Sequence, residues 1–340
     1  MFGYLRFILA CFVLASHTGM SIQGFNIGVF AVVCFFILAG YVVTGLCDKF
    51  FFKDKTRYLL FYLERGLRIF PQYLFILLLT LIFVSYTEFY KIDYSFINII
   101  SSLSIFPLNW SRVIEAQIMI PPAWSLAVEL KAYLLLPFII FIKKIKILLA
   151  FLSLLLFTIA AFGIINTDFY SLNTIFGTLF IFIVGSSIYK VSFFTERKLD
   201  LFDKYISVFI YLYMILLMLV MGIIFREMVF IENIMEIALG LIIGIPAVSY
   251  ISKSDIKLPF NKLIGDLSYG IFLSHFLVIN LIRHLTGITF SYGINATNEH
   301  VSPVLYVLVV FLISLIISII AYYLVEVPIK KYRFSLTKRL

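Results

Sequence analysis

"LRFILACFVLASHTG" (residues 5–19) is apolar except for Arg6 at one end and Ser16-His17 at the other. Such a run reads as a membrane helix, or as the apolar part of a cleaved leader if no other span follows. Many further apolar runs follow, so the stretch is expected to be a first transmembrane helix. Arg6 and His17 stand close to three helical turns apart. On a helix they share one face, separated by about 16 Å along the axis.

Of the 340 residues, 63% are hydrophobic and 13% charged, and the mean hydropathy is +1.08. A water-soluble core of this size cannot hide so much Leu, Ile and Phe. The sequence therefore predicts an all-α polytopic membrane protein. Ten apolar spans are expected, at 3–19, 27–46, 71–87, 125–142, 147–165, 174–190, 206–225, 233–251, 267–284 and 303–326. The fourth is interrupted by Glu129 and Lys131. The longest connections are 47–70 and 88–124. One integral membrane domain over 1–340, with no appended soluble domain, is expected.

Positive charge sets orientation. With ten spans and a cytoplasmic N-terminus, 21 Lys and Arg fall in the cytoplasmic connections and tail. Only Lys91, Arg112, Arg226 and Arg283 fall outside, and Arg6 and Lys131 belong to spans. Both termini are thus expected in the cytoplasm. The same asymmetry accounts for the net charge of +9 without a nucleic-acid partner. Cys11, Cys34 and Cys47 read as small packing residues. No HExxH, GxSxG or phosphate-binding glycine loop is present, and four histidines give no metal pattern.

Four further stretches carry unusual polar residues. "ERGLRIFPQY" (64–73) places Arg65 and Arg68 at i and i+3, just before the third span, with Pro71 at an early helix position. The two arginines read either as a positive-inside cluster or as a fork gripping one anion. "PPAWSLAVELKAYLLLP" (121–137) brings Glu129 into the fourth span on the outer side. A carboxylate there needs a cation such as Lys131, or a polar cavity. "GDLSYGIFLSHF" (265–276) puts Ser268 and His275 on one face, with His275 near mid-membrane, either as a packed histidine or as a functional one. "YYLVEVPIKKY" (322–332) puts Glu326 among basic residues, which reads as a structural ion pair. His17 alone reads equally as an interfacial histidine or a functional group, and Arg6 as a snorkelling anchor or part of a site.

Taken together, these stretches resemble the bacterial acyltransferase-3 family of integral membrane O-acyltransferases, over essentially the whole chain. Arg6 and His17 are similar to its arginine, ten residues, histidine spacing. "FFILAGYVVTGL" (35–46) resembles its second-helix pattern, and Arg65-Gly66-Leu67-Arg68 with Pro71 its RxxR with following proline. Trp124-Ser125-Leu126 with Glu129 resembles its WSLxxE signature. Ser268-Tyr269 with His275, and Glu326 with Pro328, are similar to its late SY…H and ExP segments. Lys131 and Phe276 stand where many relatives carry other residues.

The resemblance implies transfer of an acyl group, most often acetyl from acetyl-CoA, to a sugar hydroxyl of a surface glycan or lipid-linked saccharide. It implies a multi-pass protein of the bacterial inner membrane, surrounded by lipid. Arg6, Arg65 and Arg68 are then expected at the cytoplasmic CoA phosphates. His17 is expected as general base, oriented by Glu129. Ser16 or Tyr269 would donate to the oxyanion, with Trp124, Ser125, Ser268 and His275 as substrate or supporting residues. Direct transfer and an acetyl-His17 intermediate both remain open. Two other readings stand beside this one: a transporter of a small anion or lipid-linked sugar, and an acyltransferase using another donor such as succinyl-CoA.

Overall fold

The computed structural model describes residues 1–20, 25–51, 58–193, 201–224, 230–288 and 302–338. Lys53, Lys55, Arg57, Arg197, Lys198, Arg226 and Arg339, all used in the charge asymmetry, lie outside the described residues. In hydrocarbon every backbone N–H and C=O must be satisfied within its own segment, and the helix does this. Accordingly the described chain is helical, in the order α1 (Phe2–His17), α2 (Ile27–Phe51), α3 (Tyr58–Thr87), α4 (Phe96–Ser104), α5 (Ser111–Ile114), α6 (Ala123–Ile139), α7 (Lys143–Ala161), α8 (Thr167–Ser171), α9 (Ile175–Phe193), α10 (Leu201–Ile224), α11 (Phe230–Lys253), α12 (Asn261–Thr286), α13 (Pro303–Ala321) and α14 (Val327–Lys338).

Each expected span coincides with one of these helices. Among the described residues, eight helices are long and apolar enough to cross a membrane. The other two expected spans are α1, with 16 residues, and α6, with 17. Two boundaries differ most from the sequence reading. The third span was expected to start at Pro71, with Arg65 and Arg68 in the preceding connection. Instead α3 begins at Tyr58 and carries both arginines, so Pro71 lies in its interior. The helix continues through its charges because both arginines are paired with carboxylates, and Glu64 with Arg65 and Arg333. Pro71 has no N–H to offer the Leu67 carbonyl. Two residues on, the Ile69 carbonyl accepts from the Tyr269 hydroxyl at 3.0 Å. The tenth span runs on through a π-helical turn, Tyr322–Glu326, into α14.

The chain divides into two compact units. The first comprises 1–24, 62–124 and 257–340. In it α1 packs along α12, where Leu14, Ile271, Val278, Tyr306 and Val310 form a buried cluster with α13. Gly3 and Gly265 let the α1 and α12 backbones touch, since a Cβ on Gly265 would stand 2.8 Å from the Gly3 Cα.

The second unit comprises 25–61 and 125–256. Its centre is the α2–α9 contact. A Cβ at Gly40 would collide with the Phe182 carbonyl, and one at Gly185 with the Ile37 carbonyl. Such reciprocal notches suit helices in lipid, where close backbone packing replaces the hydrophobic drive. Cys34 fills a similar niche on α11, its Sγ 3.5 Å from the Gly240 carbonyl. At the start of α7, the buried Lys146 ammonium bonds Asp203, which also accepts from Ser187 at 2.8 Å.

Candidate active site

The first unit brings His17 and His275 together. His17 ends α1, and its Nδ1 lies 2.9 Å from the Val13 carbonyl one turn back. A carbonyl oxygen only accepts, so this Nδ1 carries the proton. Ser16 shares the same carbonyl, its hydroxyl donating to Val13 at 2.8 Å. On α12, the Nδ1 of His275 lies 3.1 Å from the Ile271 carbonyl and is protonated for the same reason. The Nε2 lone pair of His275 is left facing His17 Nδ1 at 3.3 Å. The rings stack with centroids 5.2 Å apart and planes 25° apart. Phe276 closes one side, its ring 4.7 Å from that of His17.

These contacts assign the tautomer of neutral His17. Its proton sits on Nδ1, shared between Val13 and His275, and its lone pair sits on Nε2. That Nε2 has no hydrogen-bond partner among the described residues. His275 is fully buried, whereas His17 is only partly so. The arrangement has the parts of an acid–base site: an accessible lone pair, with the opposite ring nitrogen held by fixed acceptors.

At the far end of α12 lies a charged cluster. Arg68 Nη1 bonds Glu326 at 2.7 Å and Asp266 at 3.3 Å, with its guanidinium 5.8 Å from the Tyr269 ring centre. Arg65 Nε bonds the neighbouring Glu64 at 2.6 Å. Arg333 also bonds Glu64 and lies 3.7 Å from Glu326, while Lys330 bonds Asp266 and lies 3.8 Å from Glu326. The ion pair read from Glu326 and its basic neighbours is thus present, and Arg68 joins it. Among the described residues, these contacts join four cations to three carboxylates. Arg6 lies on the unbroken α1 that ends in His17, on the same face and about 16 Å away.

The remaining expected residues are placed as follows. Ser268 is buried and donates to the Gly265 carbonyl at 2.8 Å. Tyr269 is tied to Ile69. Trp124 and Ser125 open α6. Glu129 lies in the second unit, where Tyr133, one turn on, donates to it. Sequence reading missed Tyr133, although its i+4 spacing from Glu129 was a usable signal. It also gave no role to Asp266 or Gln72. Nothing local indicates that Asp266 meets a residue 198 positions earlier.

A family model described as an acyltransferase domain (Acyl_transf_3) matches residues 2–323. An uncharacterized protein of Aquifex aeolicus (strain VF5) is 32% identical over 223 residues, which cover 64% of this chain and 91% of that protein. No solved structure matches. Eight membrane-length apolar helices and a family match over nearly the whole chain identify a multi-pass membrane protein, and the chain belongs to the acyltransferase-3 family of membrane acyltransferases.

Proposed function

We propose that this protein moves an acetyl group from cytoplasmic acetyl-CoA to a sugar hydroxyl of a surface glycan or lipid-linked saccharide, with His17 as general base. The observation that carries the reading is the tautomer of His17. Its proton is committed to Val13 and His275, leaving Nε2 as the lone pair that takes a proton. The acceptor hydroxyl gives its proton to Nε2 as its oxygen attacks the thioester carbonyl. The carbon–sulfur bond then breaks, and the departing CoA thiolate recovers the proton from His17. While His17 is charged, the His275 lone pair and the Val13 carbonyl both accept from its Nδ1–H. This is the orienting and charge-stabilising task that a carboxylate performs in a hydrolase triad.

The cluster around Arg68 supports a donor site at the other end of the unit. Its grouped guanidinium and ammonium groups suit CoA phosphates. The charge asymmetry of the connections favours a cytoplasmic position for that end and for both termini, in a bacterial inner membrane. Arg6, Arg65 and Arg68 then grip or guide the donor, and no metal takes part.

Mass spectrometry of surface glycan from cells with and without the gene tests the reading. The expected result is a glycan that gains one acetyl mass only when the gene is present. Identical glycan spectra, with substrate counterflow in proteoliposomes lacking acyl-CoA, would instead support a transporter.

A further inference from the structure

Gln72 is buried to 1% exposure, and neither its Oε1 nor its Nε2 has a hydrogen-bond partner among the described residues. Ser314 on α13 is fully buried, and its hydroxyl is likewise unpartnered there. Leaving a buried amide and a buried hydroxyl unsatisfied is costly, and native proteins keep few such groups.

Both lie between the charged cluster and the histidine pair. Asp266, Gly270 and Ser274 follow one another at four-residue steps along one face of α12. Asp266 holds Arg68 at one end. At Gly270 the missing side chain leaves room for others: a Cβ there would stand 2.7 Å from Gln72 Nε2 and would run into Ser318 Oγ. One turn further, Ser274 Oγ lies 3.4 Å from the Ser314 carbonyl. The next residue, His275, reaches His17. From Asp266 to His275 the rise is roughly 13 Å. The polar residues therefore form a buried column inside one unit, with a cluster of basic side chains and their carboxylates at one end and a base at the other.

We propose that this column receives the pantetheine arm of the acyl donor, with the Gln72 amide and the Ser314 hydroxyl as its hydrogen-bonding groups. The proposal rests on the acyl-CoA reading above. The ligand chemistry follows from the order of groups along the column. A phosphopantetheine thioester has phosphate at one end and a reactive carbonyl at the other. Between them lie two amides and a hydroxyl on a thin, flexible chain. An amide side chain meets a substrate amide with one donor and one acceptor. A saccharide would need far more polar partners than one amide and one hydroxyl.

The test uses full-length protein in proteoliposomes, with Gln72→Met and Ser314→Ala. Met is close to Gln in shape and removes both polar atoms, so a purely structural Gln72 predicts equal or greater thermal stability. The donor-arm reading predicts that stability together with a roughly tenfold higher KM for acetyl-CoA, the loss expected for one hydrogen bond to ligand. S-acetylpantetheine, which lacks the nucleotide, should show the same rise in the Gln72 variant. Ser314→Ala should give a smaller rise and serves if the Gln72 variant fails to fold. Unchanged KM in both variants would overturn the proposal. So would a fall confined to kcat, which would assign the column to water and protons. If wild-type protein transfers nothing from acetyl-CoA, the functional reading itself fails, a result distinct from either.

Discussion

His17 Nδ1 lies 3.3 Å from His275 Nε2, and each histidine's own Nδ1–H is committed to a carbonyl one turn back in its helix. The two rings therefore act in a fixed direction. His275 offers a lone pair, and His17 presents its own lone pair on the opposite nitrogen. His275→Phe keeps a ring but removes the acceptor. Losing a hydrogen bond to a charged group should lower kcat about 10- to 100-fold with little change in KM for either substrate. His275→Gln restores an acceptor and should recover part of that loss. Steady-state kinetics of the two variants check this. Equal losses in both would reduce His275 to a packing role.

The Arg68 cluster couples stability to the donor end. Arg68→Ala leaves Glu326, only 2% exposed, to Lys330 and Arg333 alone. Breaking a largely buried pair from one side costs about 3 kcal/mol, so the variant should melt earlier in detergent. Arg68→Lys keeps the charge but loses the planar fork, and should recover stability better than acetyl-CoA affinity. Thermal melts with and without acetyl-CoA separate the two effects.

In the second unit, Asp203 accepts from Lys146 and Ser187 and lies 3.5 Å from Lys190. Asp203→Asn leaves the buried Lys146 ammonium without its counter-charge and should cost about 3–5 kcal/mol. The double variant Lys146→Met, Asp203→Leu removes both charges and should return close to wild-type stability. Melting temperatures of the single and double variants provide the cycle.

Two helical glycines, one at a helix contact and one facing open space, predict opposite signs. A Cβ at Gly40 meets the Phe182 backbone, which cannot swing aside as a side chain can, so Gly40→Ala should destabilise strongly. At Gly66, within α3, a Cβ meets nothing within 4 Å. Gly66→Ala should therefore stabilise by up to about 1 kcal/mol through helix propensity. Melting of the two variants in parallel gives the comparison.

The architecture was legible because its signal is local. A run of apolar residues declares a membrane helix without reference to anything distant, and α1, α2 and α9 to α13 fall where hydropathy puts them. Boundaries that depend on distant partners were not legible. Residues 58–70 look like a charged connection until Asp266 and Glu326 arrive to pair with Arg68 and let the helix run on. The site divides in the same way. Arg6 and His17 could be placed on one face from spacing alone, and His275 stood out as a polar residue near mid-membrane on the face of Ser268. That the two histidines meet, and through which nitrogens, depends on how α1 lies against α12. Gln72 carried no signal, because an amide in "FPQY" is unremarkable until both of its atoms prove buried and unpartnered.

The most direct test of the account is acetyl transfer from isotope-labelled acetyl-CoA to glycan acceptor by wild-type protein and His17→Ala in proteoliposomes, at matched protein content. With His17 Nε2 as the base, the wild type labels the glycan and the variant loses at least about 100-fold in rate, while still inserting and binding acetyl-CoA. Labelling by His17→Ala at the wild-type rate would contradict it.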